Sequence, residues 1–178
     1  MNELWVFGYG SLMWRPGFPF EAQAPGLLNG AHRALCVYSI LHRGTREQPG
    51  LVLGLDRGGA CRGVAFRVAQ GAEEETVAYL REREQVTDVY LEAHRTVRLL
   101  NGTGRVVKAL TYLADPNHAQ YAGRLPLEEQ LRIVRDCKGE AGANIDYVLN
   151  TVRHLEEEGV HDAVLGSIAA RLTASGLS

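Results

Sequence analysis

Two places in this 178-residue chain combine residue types that could do chemistry: a glycine-bracketed loop near the N-terminus and one carboxylate on the apolar side of a helix. The loop is Val6-Phe7-Gly8-Tyr9-Gly10-Ser11-Leu12. Val6 and Phe7 read as a buried strand, and Gly8 and Gly10 permit backbone angles and a close ligand approach that a Cβ would block. A strand end that opens into converging N–H groups suits a phosphate, an oxyanion or the carboxylate of a small amino-acid-like substrate. Phosphate is the weakest of the three. The following Ser11-Leu12-Met13-Trp14-Arg15-Pro16 has neither the Lys-Ser/Thr of a P-loop nor the third glycine of a dinucleotide fingerprint. A plain β-turn is the bland alternative. No Gly-x-Ser-x-Gly elbow surrounds Ser11, which assigns it to substrate hydrogen bonding rather than nucleophilic attack.

The carboxylate is Glu84. A helix is expected from about Glu73 to Gln85, with Val77, Leu80 and Glu84 at i, i+3 and i+7, so Glu84 projects within roughly 20° of Val77 while Glu82 points away. An unpaired charge on an apolar face is costly. Glu84 is therefore expected to be paired with Arg81 or Arg83, to have a raised pKa, or to face a polar pocket.

The elements that position these residues drift from β-like to helical along the chain. Leu4 to Gly8, Ala34 to Ile40, Leu51 to Leu55 and Gly63 to Val68 read as short strands between Gly and Pro clusters. Val89 to Leu100 and Arg105 to Leu113 read as a hairpin, because Asn101-Gly102-Thr103-Gly104 readily takes the positive φ angles of a tight turn. In the last third, Ile145, Val148, Leu149, Val152 and Leu155 recur at helical spacing up to a stop at Gly159, and Val160 to Leu172 make another helix. Strands early and helices late favour α+β, and a small mixed β-barrel with surrounding helices is the expected architecture. With 178 residues, 46% of them hydrophobic, residues 1–178 are expected to form one domain.

Charge and composition narrow the partner. The formal net charge of −2, with acids and bases interleaved, leaves no footprint for nucleic acid and no polybasic segment for a membrane surface. A small neutral or zwitterionic molecule fits better. Cys36, Cys61 and Cys137 are odd in number and without a CxxC, which suggests reduced thiols. The six histidines form no HxxxH and have no neighbouring Cys, so no metal is expected. No signal-peptide pattern and no run of about 20 apolar residues is present, which points to the cytoplasm.

Several blocks in order resemble the ChaC-type γ-glutamylcyclotransferases: Val6 to Pro16, His42-Arg43-Gly44-Thr45, Pro49 to Leu55, Gly63-Val64-Ala65-Phe66-Arg67, Gly139 to Tyr147, and the later His154-Leu155 and Gly159-Val160-His161-Asp162. The resemblance implies the cyclotransferase fold and cleavage of glutathione to 5-oxoproline and cysteinylglycine without a cofactor. It also implies that the loop Tyr9 to Leu12, at the end of Val6-Phe7-Gly8, holds the γ-glutamyl group. The resemblance further implies that the Glu of an Arg-Glu pair is the catalytic acid, which here would be Arg83-Glu84, with Arg81-Glu82 as the other possible register. Asn144 and Tyr147 are secondary candidates for lining the pocket. Gln85 and Thr87-Asp88-Val89-Tyr90 depart from the family pattern, which bears on the pocket wall and substrate breadth. Two alternatives accompany this reading: a cyclotransferase for other γ-glutamyl amino acids or amines, and a non-catalytic module binding a small carboxylate.

Overall fold

The apolar run Trp5–Gly8 forms β1 and is buried at every position. It pairs antiparallel with β3 (Gly50–Val68), from Trp5↔Arg67 to Gly8↔Val64, and parallel with β5 (Val106–Ala114) at Trp5↔Ala109 and Val6↔Leu110. A strand flanked on both sides and covered on both faces needs a continuous apolar run rather than an alternating one. In this computed structural model, which describes residues 2–84 and 88–174, the chain divides into two compact units. One is Met1–Arg33 with Leu55–His118, the other Ala34–Gly54 with Ala119–Ser178.

The strand order β1-β3-β2-β4-β5 closes into a barrel, with β2 at Phe20–Ser39 and β4 at Tyr90–Leu99. β2 meets β4 from Gly26↔Leu99 to Leu28↔Val97, and β4 runs antiparallel to β5 from Tyr90↔Ala114 to Arg98↔Val106. Phe7, Leu28, Phe66, Val97 and Leu110 are fully buried. The Asn101 hairpin forms as expected, with Asn101 Oδ1 accepting from the Thr103 amide and hydroxyl. Helix α1 (Glu73–Glu84) carries Glu73, Glu74 and Glu75 in its first turn and Arg81 and Arg83 in its last, an arrangement that complements the helix dipole. Gln85, expected to end it, lies outside the described residues.

Two differences from the expected strands have a common cause. The stretch expected at Ala34 to Ile40 is, up to Ser39, the end of the 20-residue β2, and Leu51 to Leu55 and Gly63 to Val68 belong to the single 19-residue β3. Gly58 and Gly59, at φ 92° and 71°, bend β3 without ending it. In β2 the apparent breaker Pro25 sits where its carbonyl, not its missing N–H, is needed: it accepts from the Leu100 amide at 2.7 Å.

The second unit holds α2 (Leu127–Asp136), α3 (Asn144–Glu157), α4 (Ala163–Ala174) and the short pair β6 (Lys138–Gly139) and β7 (Gly142–Ala143). α3 buries Val148, Val152 and Leu155, as the periodicity requires. α4 begins later than Val160 because the Asp162 carboxylate accepts the Leu165 amide at 3.0 Å and so caps the helix there. α2 falls in the helical last third but is not singled out by the sequence reading, although Leu131, Ile133 and Val134 are buried. No helix among the described residues is long and apolar enough to cross a membrane.

Candidate active site

At the end of β1 the chain turns back on itself through a 3₁₀ turn, Ser11–Met13, closed by Met13 N–H to the Gly10 carbonyl at 2.9 Å. A Cβ on Gly8 would lie 3.0 Å from Leu12 Cβ and 3.2 Å from Met13 N, so glycine is needed for close approach rather than for φ. The Ser11 and Leu12 amides precede the first bond of the turn and are not used within it. Val6, Phe7 and Leu12 are buried supports for this loop, while Ser11 is exposed. Thr111 donates its hydroxyl to the Phe7 carbonyl at 3.2 Å.

Arg33 fixes the loop from beneath. It is 7% exposed, with Nε donating to the Tyr9 carbonyl and Nη2 to the Arg62 carbonyl, both at 2.6 Å. A guanidinium tolerates burial when its donors are satisfied in this way. Sequence reasoning missed Arg33, yet a signal was present. Ala31, Arg33 and Leu35 alternate on the buried face of β2, where a cation needs a reason to be.

Glu84 ends α1 with its side chain 17% exposed, whereas Glu82 is exposed. The buried residues of the helix are Thr76 and Leu80, so Glu84 continues an i, i+4, i+8 line; Val77 is only half-buried. Burial pushes the Glu84 carboxyl above the usual carboxylate range, and the nearby Arg83 charge opposes that shift without cancelling it. Arg83 Nε lies 3.6 Å from Glu84 Oε1, an ion pair beyond hydrogen-bond length. Arg83 Nη2 also donates to Ser11 Oγ at 2.8 Å, which brings the loop and the end of α1 together.

Arg81 is engaged elsewhere. Its Nε and Nη2 form a fork on Glu92, each at 3.0 Å, and the Tyr112 hydroxyl donates to Glu92 Oε1 at 2.9 Å. The Arg81 hydrogen bonds hold the Glu92 carboxyl below its ordinary range. Burial, the bond to Glu92 and, more weakly, the charge of Glu84 push the Tyr112 hydroxyl far up. Glu84 and Glu92 are thus driven in opposite directions.

Asn144 and Tyr147 belong to the second unit. Asn144 is fully buried; its Oδ1 accepts the Leu51 amide and its Nδ2 donates to the Leu51 carbonyl, both at 2.8 Å. The Tyr147 hydroxyl accepts the Leu53 amide at 3.0 Å, and the Arg43 guanidinium lies 5.5 Å from the centre of its ring. Both residues dock the first turn of α3 on β3. Of the departures from the family pattern, Gln85 and Thr87 lie outside the described residues.

A large open groove of about 1080 Å³ runs beside α1 over Trp5, Val77, Arg81 and Lys108, and includes neither the Gly8–Leu12 loop nor Glu84. Two of its arginines are already paired, Arg81 with Glu92 and Arg105 with Glu3. Among the described residues no group of three or more His, Cys, Asp or Glu is placed to hold a metal ion.

The closed five-stranded barrel together with four helices is the γ-glutamylcyclotransferase fold. The crystal structure of a yeast γ-glutamyl cyclotransferase specific to glutathione matches it with a TM-score of 0.83 and 20% identity, over 98% of this chain and 97% of that one. The family model for ChaC-like proteins matches residues 4–174, and the chain belongs to that family. The Danio rerio glutathione-specific γ-glutamylcyclotransferase 1 is 37% identical over 98% of this chain and 91% of its own length. Its counterpart in Escherichia coli K12 is 34% identical over 94% of this chain and 71% of its own length. The Arabidopsis thaliana γ-glutamylcyclotransferase 2-3 is 32% identical, over 93% and 86%.

Proposed function

We propose that this chain is a glutathione-specific γ-glutamylcyclotransferase, releasing 5-oxoproline and cysteinylglycine with Glu84 as the single base and acid. The observation that carries the reading is a largely buried carboxyl with raised proton affinity, to which no side chain among the described residues donates a hydrogen bond, tied through Arg83 to a loop whose turn leaves the Ser11 and Leu12 amides outside its own bonding. The names of the bacterial and fish relatives support the choice of substrate.

The γ-glutamyl α-amine is an ammonium at pH 7 and cannot attack its own γ-carbonyl until a base removes a proton. Glu84 takes that proton. The amine nitrogen then bonds to the γ-carbonyl carbon and closes a five-membered ring. Because nucleophile and electrophile are in one molecule, holding the folded conformer supplies much of the rate; effective molarities for such reactions reach about 10⁵ M or more. The loop from Tyr9 to Leu12 binds the γ-glutamyl group, its amides serving the oxyanion or the α-carboxylate. Collapse of the tetrahedral intermediate breaks the amide bond to cysteine as Glu84 returns its proton to the departing amine. The carboxylate then takes the second proton shed by the ring nitrogen and passes it to that amine, so the lactam is neutral, the product amine leaves as an ammonium and Glu84 is again a carboxylate. Intramolecular attack needs neither a metal nor a cysteine nucleophile.

Residues 1–178 act here as one catalytic domain, in which Asn144 and Tyr147 hold the backbone of Leu51 and Leu53. The three cysteines are buried with no disulfide among the described residues, which suits a cytoplasmic enzyme. The test is mass spectrometry of glutathione after incubation with purified protein, beside γ-glutamyl-alanine. Formation of 5-oxoproline and cysteinylglycine is the expected result. Consumption of γ-glutamyl-alanine alone would move the substrate to other γ-glutamyl amino acids, and binding without turnover would make the chain a carboxylate-binding module.

A further inference from the structure

The geometry points to Arg83 as a positioning residue of the cyclisation, one guanidinium that holds the Ser11–Pro16 loop against the last turn of α1 and so sets the register between base and substrate cradle. The inference rests on the function proposed above. All three nitrogens of the side chain are placed for this task. Nη2 donates to Ser11 Oγ at 2.8 Å, and Nη1 donates to the Arg15 carbonyl at 2.7 Å, to the Pro16 carbonyl at 3.4 Å and to the Tyr79 hydroxyl oxygen at 2.9 Å. Nε faces Glu84. The far end of the loop is shaped to fit: Gly17 has φ 76°, and a Cβ there would collide with the Tyr79 hydroxyl.

Only arginine can make this set of contacts. A planar fork with five donors reaches several acceptors at once, whereas a lysine ammonium is a point charge that would reach one or two. The same guanidinium opposes the upward drift of the Glu84 carboxyl. Among the described residues, Tyr112 from β5 also feels the charge of Glu84, and Tyr112 in turn meets the Arg81–Glu92 pair. Removing the Arg83 charge therefore raises the proton affinity of the base, and a base must be deprotonated to work. The acid limb of kcat/KM, which reports the free enzyme, moves to higher pH.

The experiment compares wild type, Glu84→Gln, Arg83→Lys, Arg83→Gln, Ser11→Ala and the Ser11→Ala/Arg83→Lys double variant on glutathione, per folded enzyme. Arg83→Lys should raise KM about tenfold, the scale of one lost charge-assisted hydrogen bond, with the acid limb near its wild-type position. Arg83→Gln should raise KM and also move the limb upward. The Ser11→Ala and Arg83→Lys effects should be less than additive in the double variant, because part of each runs through the one contact they share. Should Arg83→Gln fail to fold, the Arg83→Lys cycle decides alone. If the Arg83 variants lose only thermal stability, with KM, acid limb and additivity unchanged, Arg83 is scaffold and the inference fails by itself. If wild type releases no 5-oxoproline, or Glu84→Gln keeps full activity, the functional reading fails first and the inference falls with it.

Discussion

The last turn of α1 and the first turn of α3 both present polar side chains to a buried setting, and they settle them in opposite ways. Asn144 and Tyr147 spend their polar atoms on the backbone of Leu51 and Leu53. Glu84 is largely enclosed too, yet among the described residues its carboxylate has a long ion pair to Arg83 and no hydrogen bond, and its proton affinity is raised. A satisfied buried polar group stabilises a fold, while a poorly satisfied one costs stability and is retained where chemistry needs it. The contrast separates scaffold from reactive group within one chain.

Its sharpest test is Glu84→Gln, which should lower kcat for 5-oxoproline release by about 10²–10⁴-fold, the usual contribution of a general base. The same variant should melt higher at neutral pH. A carboxyl with its folded pKa raised favours the fold in acid and loses that advantage as pH rises through the folded value, so the gain from Gln appears above that value and fades below the ordinary carboxylate range. A lower melting temperature at pH 7 would make Glu84 an ion-pair scaffold and erase the contrast.

Asn144→Ala should do the reverse, costing about 3 kcal/mol of stability in denaturant titrations, because it strands a buried amide and a buried carbonyl. Tyr147→Phe should cost about 1 kcal/mol by the same route. Glu92→Gln is a milder probe. The depressed Glu92 carboxyl contributes stability above the unfolded pKa that is lost as pH falls through the folded one, so the variant should melt slightly lower at neutral pH and converge with wild type in acid. The effect stays small because Arg81 is more than half exposed. Least of all is expected from Glu82→Gln, with turnover and melting both near wild type; a loss matching that of Glu84→Gln would move the base to the other Arg-Glu pair.

Local pattern was enough to single out Glu84, because a carboxylate in line with Leu80 is conspicuous at any helical phase. Pattern put Val77 on the buried line where the structure has Thr76, since i+3 and i+4 neighbours differ by an angle smaller than the width of a buried face. Arg33 was legible in principle from its alternation with Ala31 and Leu35. The reach of Arg83 to Ser11, across 72 residues, was not, because a tertiary hydrogen bond leaves no local periodicity. The glycines and proline inside β2 and β3 misled for a related reason: the same residues end a short strand or bend a long one, and only the partner strand decides which.

The barrel closes where β1 lies parallel to β5, through Trp5↔Ala109 and Val6↔Leu110, against nine paired positions between β4 and β5. That thin seam sits on the strand that ends in the Gly8–Ser11 loop. Local opening follows the weakest set of hydrogen bonds, so amide exchange on the β5-facing side of β1 should outpace that of β4 and β5. On slow heating, catalysis should then fail before the far-ultraviolet signature of the helices does.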